Sequence, residues 1–477
     1  MLLALVWVPI LFGLAALAVP SERLRPWLLP AAGAAQMALV GRVLAGFEVP
    51  PEAGGWIALD DVGRVVLATI SLIFFFCSIY AVGYLGYRTE RPNRLFCFVL
   101  PAFLGLMSLM VISHHLGLMW VAIESATLAA APLLRFSRTP QSLEATWKYL
   151  LIGSVGIALA LFGSFFLAYS ALQAGLHTTL LFDDLMRQAP LLSKPWLHAA
   201  FVLLFVGYGT KMGLAPMHTW KPDAYGESPG LVGALLAGGL TNCAFLAIVR
   251  FHQIMVAAGE GPFARRILVV MGLVSMGLAG VFVVRQRDYK RMLAYSSVEH
   301  MGILVLGLGL GGAATFAAVY HMVNNALAKT VTFLAAGNLH RAFGSKRTDK
   351  VTGAVRHAPV SGWAFLIGFL AITGAPPFGP FQSMFAMLTA ALGTGRYLVG
   401  ALFVIFLTVV YMGMGAAVFG VCFGEPPADA PKSFREGALT AAPIVACLAL
   451  VLGLGVWLPG PLEALLHNAA AFIEGGR

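Results

Sequence analysis

Charge is what this chain has least of. Only 11% of its 477 residues are Asp, Glu, Lys or Arg, while 59% are hydrophobic and the mean hydropathy is +0.84. A soluble protein carries about 25% charged residues, so the shortfall excludes an ordinary soluble domain and points to a polytopic membrane protein. Cysteine is scarce too: Cys77, Cys97, Cys243, Cys422 and Cys447 are scattered, and none forms a C-x-x-C pair. That spacing excludes an iron–sulfur or zinc site, so no cofactor, metal or redox centre is expected on the chain. No period-2 alternation supports a membrane barrel. No linker, low-complexity tract or soluble domain interrupts the apolar runs. Met1–Val19 lacks the basic start of a secretory signal, and Arg23 and Arg25 follow it instead. It reads as a first span with its N-terminus outward.

What is present is a series of apolar runs of spanning length. They fall near 1–19, 27–47, 63–87, 95–113, 115–135, 146–172, 197–217, 229–251, 266–284, 291–312, 313–340, 361–386, 397–421 and 438–459, roughly fourteen helices in all. The fold class is therefore all-α integral membrane. Threaded from an outward N-terminus, alternate loops collect Arg23 and Arg25, Arg88 to Arg94, Arg135 and Arg138, Arg285 to Arg291, Lys346 to Arg356, and Lys432 and Arg435. The opposite loops hold Glu48, Glu52, Asp60, Asp61, Asp183, Asp184 and Glu260. Roughly 20 Lys/Arg against about 7 obeys the positive-inside rule and places both termini outward. The net charge of +10 belongs to these loops, not to nucleic-acid binding.

Within the apolar runs, a few ionisable residues stand out, and such residues are functional candidates by default. Lys211 lies about ten residues into the seventh span, followed by Pro216, which breaks or kinks the helix. Pro376 and Pro377 interrupt the twelfth span in the same manner. Matched interruptions suggest inverted repeats with an ion site between them, the alternative being two unrelated kinks. Glu124 in the fifth span is the obvious partner of Lys211. Lys148, at the start of the sixth, is either a further station or an interface anchor. His321, Asn325 and Lys329 recur every four residues and stack on one helix face, a column suited to proton relay. One histidine without a carboxylate on that face is too few ligands for a metal. Glu299 and His300 sit two turns inside the tenth span, and as neighbours only one of them should face the column. His218, Lys221 and Asp223 read as a re-entrant or loop cluster at the cytoplasmic mouth.

These residues resemble the antiporter-like membrane subunits shared by respiratory complex I, Mrp cation antiporters and group 4 membrane-bound [NiFe]-hydrogenases. The resemblance rests on the fifth-span glutamate, KMGLAPMHTWKPDAY, DYKRMLAYSSVEHMG and HMVNNALAKTVTFLAAGN, and covers nearly all of spans three to thirteen. SSVEHMG and GAPPFGPFQSMF look most like the hydrogenase-4 component F branch. The resemblance implies N-terminal helices over 1–94, two inverted five-helix repeats over 95–252 and 253–421 with discontinuous helices 7 and 12, and a last span with its tail over 422–477. It implies Glu124 and Lys211 as a first ion pair, His321 in a central relay, Lys329 as the second-half lysine and His300 as an extra station. Expected partners are other membrane subunits, a peripheral arm of [NiFe]-hydrogenase-like and iron–sulfur subunits, the bilayer, and protons or sodium ions, in a bacterial or archaeal inner membrane. The expected function is proton translocation in a redox-driven complex; the alternatives are an Mrp-like antiporter, a membrane subunit for inorganic-carbon uptake, and a non-conducting scaffold. Three departures stand out. Asn325 replaces a second histidine, Ala237 stands where many relatives carry a lysine or histidine, and Gln382, Ser383 and Met384 replace the acid or lysine of the twelfth span.

Overall fold

The computed structural model describes residues 1–47, 50–88, 90–428, 430–431 and 434–475, so Glu48 and Lys432 lie outside the described residues. Helices make up the architecture, and β pairing among the described residues is limited to isolated bridges between loops. An apolar, β-branched-rich run such as ISLIFFF would suit a strand in water; in lipid its backbone must be satisfied internally, which selects the helix. The chain runs α1 (Leu2–Ala18), α2 (Leu28–Leu44), α3 (Asp61–Tyr87), α4 (Arg94–Ile112), α5 (Leu116–Leu134) and α6 (Pro140–Gln173). It continues through α7 (Phe182–Gln188), α8 (Lys194–Met212), α9 (Trp220–Glu227), α10 (Gly230–Leu235), α11 (Thr241–Ala257), α12 (Gly261–Val283), α13 (Tyr289–Leu310) and α14 (Ala313–Phe343). The last elements are α15 (Ala354–His357), α16 (Pro359–Ile372), α17 (Gly379–Gly393), α18 (Tyr397–Cys422), α19 (Ala438–Val456) and α20 (Gly460–Ile473).

Among the described residues, ten helical stretches are long and apolar enough to cross a membrane, and α1 and α16 are shorter apolar helices. Local signals set their starts. Thr139 and Ser142 form a capping box ahead of α6, with Pro140 at its first position. Asp288 caps α13 by accepting from the Lys290 and Arg291 amides at 2.8 and 3.1 Å. The tail expected after residue 459 instead forms α20, which buries Leu466, Ala469, Ala470 and Ile473 against the bundle.

The loops gather at two ends. At one, Arg25 meets Asn93, Arg91 meets the Phe136 carbonyl, Lys346 meets Glu227, and Thr352 meets the Glu425 carbonyl. At the other, the Met1 ammonium meets Glu52, the Phe182 amide meets the His114 carbonyl, His198 meets Glu260, and Arg265 meets Glu474. The arginine-rich loops all belong to the first end. Burial marks the centre: the hydrophobic window of 230–257 is 100% buried and that of α13 is 94%, against 28% for α18. Residues Leu236–Leu240 form a π-helical turn between α10 and α11. There Ala237 is fully buried, and a Cβ on the neighbouring Gly238 would meet Ala326 of α14 and Ile73 of α3.

Near the second end a buried clamp joins three helices. Arg250 donates to Asp60 at 2.9 and 3.1 Å and to the Ser113 and Val111 carbonyls at 2.6 and 2.8 Å. His114 approaches the same carboxylate at 3.2 Å. Burial pushes the Asp60 carboxyl up, but the Arg250 charge, His114 and the Gly63 amide outweigh it and hold the group well below the usual carboxylate range.

Candidate functional site

Two groups of polar residues occupy the buried middle of the bundle, each beside an interrupted helix. In the first, Lys211 on α8 donates to Glu124 on α5 at 2.8 Å and to Thr127 Oγ1 at 2.8 Å. Ser154 on α6 donates to the other Glu124 oxygen at 2.7 Å. Gly153 permits this approach, since a Cβ there would lie 2.9 Å from the Lys211 ammonium. Lys211 is 2% exposed, so its charge is compensated by the carboxylate and not by bulk solvent.

Lys211 is also one residue from the end of α8. The helix stops at Met212, Gly213 takes φ +79°, and helix resumes at Trp220. Left-handed backbone favours glycine, and here a Cβ would also strike Lys221 at 2.6 Å. The carbonyls freed by the break find partners in the chain just beyond it. Trp220 Nε1 donates to the Thr210 carbonyl at 2.9 Å, and Lys221 Nζ donates to the Met212 carbonyl at 2.8 Å. Lys221 has no exposed surface. It does not sit in a surface loop at the mouth: it is a buried lysine whose ammonium joins the broken end that carries Lys211. His218 is buried beside it, whereas Asp223 turns to the arginine-rich end and pairs with Lys148 and Arg291. Lys148 is 44% exposed and also meets Glu144, so it belongs to that surface network.

The second group is centred on α14. Lys329, with no exposed surface, donates to Ser296 on α13 at 2.7 Å. Glu299 and His300 are both buried. Lys329 is the opposite charge that acts on Glu299, while His300 Nδ1 lies 2.9 Å from His321 Nε2 with the rings nearly parallel. His321 Nδ1 lies 2.8 Å from Ser383 Oγ in the first turn of α17. The series His300, His321, Ser383 therefore joins three helices through nitrogens and a hydroxyl able to share protons. His300 Nε2 and both amide atoms of Asn325 have no protein partner among the described residues. Buried polar atoms are ordinarily satisfied, so solvent is their expected partner. Among the described residues no group of three or more His, Cys, Asp or Glu is placed to hold a metal.

The second interruption runs from Thr373 to Phe378, with Gly374 at φ +76°. Pro376 and Pro377 are exposed and Phe378 is buried. Helix α19 closes this break from outside. A Cβ at Gly455 would run into the Pro377 carbonyl, and Gln382 donates to the Gly455 carbonyl at 3.3 Å. Asn324 lies against Gly379 from the other side.

Sequence reasoning named Lys221 only as part of a re-entrant or loop cluster at the mouth, and passed over Ser296 and the contact of Ser383 with His321. A lysine between tryptophan and proline resembles a loop residue, and serines are too common in membrane helices to stand out.

Comparison with known proteins agrees with this arrangement. The family model described as NADH:quinone oxidoreductase/Mrp antiporter, TM matches residues 113–410. The hydrogenase-4 component F homolog of Methylacidiphilum infernorum is 35% identical over 454 residues, covering 92% of this chain and 93% of that one. Among solved structures, a subunit of the archaeal membrane-bound sulfane sulfur reductase superposes with a TM-score of 0.89 at 21% identity, over 99% of this chain and 97% of that chain. A subunit of the Mrp complex from Dietzia sp. gives 0.88 at 21% identity, over 99% and 97%. At that identity the two structures speak for the fold alone.

Proposed function

We propose, from the premise that the chain belongs to the NADH:quinone oxidoreductase/Mrp antiporter membrane family, that it is the proton-translocating subunit of a redox-driven complex. The assembly would be hydrogenase-4-like or related to complex I, with nickel, iron–sulfur clusters and electrons carried by partner subunits. In this reading the chain crosses the membrane fourteen times: α1 to α6, α8 with α9, α10 with α11, α12, α13, α14, α16 with α17, α18 and α19. Residues 95–252 and 253–421 are two inverted repeats, and both termini face outward. The two breaks support the inversion. Helix α8 enters from one end and runs 19 residues to its break, while α16 enters from the other end and runs 14 residues to its own.

The observation that carries the proposal is the placement of Lys211, Lys221 and Lys329, each almost without exposed surface, in the interior of one bundle. Such charges are costly in a membrane, and they are retained where they move ions. Glu124 and Lys211 would hold a proton-dependent ion pair at one end of the line. Lys221 would stand at the crossing between repeats, and Lys329, Glu299, His300, His321 and Ser383 would pass the proton onward, with solvent at Asn325. The test is the assembled complex in proteoliposomes, with proton uptake and electron transfer read together. Lys211→Met and Lys329→Met should each bring pumping to background while assembly persists. Unchanged pumping in both variants overturns the proposal.

A further inference from the structure

We infer that a groove between α4, α5 and α6 at the arginine-rich end binds an anionic diacyl phospholipid, with the phosphate at the arginines and an acyl chain along α6. The groove encloses about 530 Å3 and is bordered by Arg91, Arg135 and Arg138, the only charged residues that line it. Below them the walls are apolar, from Leu95 and Phe96 on α4, Pro132 on α5, and Trp147 and Leu150 on α6. Arg91 is anchored by its bond to the Phe136 carbonyl at 2.5 Å. Phe136 in turn packs against Phe96 with tilted rings 4.7 Å apart, giving the groove an aromatic floor. Arg135 and Arg138 are exposed on the tight turn between α5 and α6, where Arg138 takes φ +50°.

The apolar part does not end with the groove. Trp147, Leu151 and Val155 form an exposed row, 57%, 62% and 64% open, at successive turns of α6. A shallow depression lined by Leu151, Val155, Leu159, Val206 and Met217 continues it between α6 and α8. A headgroup-sized basic recess at the level of the loops, leading into an apolar track toward the middle of the bundle, matches an amphiphile with one negative end. Basic pockets between membrane helices take cardiolipin-type headgroups on this charge logic, and guanidinium groups grip phosphate in bidentate fashion. The inference rests on the chain lying in a membrane, and not on whether it moves protons.

The test is lipid retention by the purified full chain. The chain is reconstituted with phosphatidylglycerol or with phosphatidylcholine, stripped in detergent, and the bound lipid counted by native mass spectrometry. Wild type should retain phosphatidylglycerol and lose phosphatidylcholine. Arg135→Gln with Arg138→Gln should weaken retention roughly thirtyfold, from the loss of two interfacial cations. Ala131→Phe, which fills the groove and keeps all three arginines, should weaken it as well. Arg347→Gln with Lys350→Gln, an equal charge change at the same end, should leave it intact. Equal retention of both lipids, equal loss in the Arg347/Lys350 control, or full retention in the groove variants overturns the inference. So does a protein chain of the assembled complex found seated in the groove.

Discussion

The two interrupted helices meet the same backbone problem with different materials. At the first break the chain seals itself, because Trp220 and Lys221 return to the carbonyls left open at Thr210 and Met212. At the second, the freed Phe369 and Leu370 carbonyls are met locally by Thr373 Oγ1 and the Ala375 amide, and a further seal of packing is borrowed from α19 through the close approach of Gly455, with Asn324 on α14 lying against Gly379. The charges differ in parallel. Lys211 is bonded directly to a carboxylate, whereas Lys329 is bonded to a serine hydroxyl and its carboxylate, Glu299, makes no hydrogen bond among the described residues. On the proposed path, a proton leaving Lys211 would leave the ammonium's bonded partner, the Glu124 carboxylate, in place, whereas one leaving Lys329 would meet the Ser296 hydroxyl first. The first group would then act as a switch and the second as a conduit.

The sharpest way to break that comparison is to remove each carboxylate. Glu124→Ala strands Lys211 in a 2%-exposed site, and removing one partner of a buried pair costs about 3–5 kcal/mol. Glu299→Ala leaves the Lys329 bond to Ser296 in place and breaks no hydrogen bond among the described residues, so it should cost about 1 kcal/mol, the centre of the range for single substitutions. Thermal unfolding of the solubilised complex measures both. Equal losses would mean that the two lysines are held alike.

The borrowed seal gives the next effect in size. Gly455→Ala drives a Cβ into the backbone of the second break, and a carbonyl cannot swing aside as a flexible side chain can. Overpacking of this kind costs about 1–3 kcal/mol. The damage should stay local, with faster amide exchange over 373–383 and unchanged exchange over 210–222. Exchange rising at both breaks would show that they are not independently sealed.

How much of this was legible beforehand follows from how strongly each residue contradicts its surroundings. Glu124, Lys211, His321 and Lys329 are ionisable groups inside long apolar runs, so hydropathy alone exposes them. The burial of Lys221 escaped because HTWKPDAY is polar enough to pass for a loop. Only the folded chain shows that the break turns this segment back into the bundle, where its ammonium replaces a missing backbone donor. Asp60 and Arg250 escaped for a different reason. Each lies at the margin of a span, where a charge is unremarkable, and their pairing bridges 190 residues. Helix α20 was missed because its 14 residues are too few for a span.

The smallest expected effect decides where the conduit ends. Ser383 carries no charge and replaces the acid or lysine expected there, yet its hydroxyl is the partner of His321 Nδ1 at 2.8 Å. Ser383→Ala removes one hydrogen bond, about 0.5–1.5 kcal/mol, which corresponds to a slowing of proton flux by up to about tenfold if the proton passes there. The first-half counterpart is Thr127→Val, which takes one acceptor from Lys211 and leaves Glu124 in contact. Its flux should stay within about twofold of wild type, because the carboxylate still sets the state of the pair. A pH-sensitive dye trapped in proteoliposomes reads both. Were Thr127→Val the slower of the two, the hydroxyl in the first half would be the transferring group, and His321 would owe its position to packing on α17.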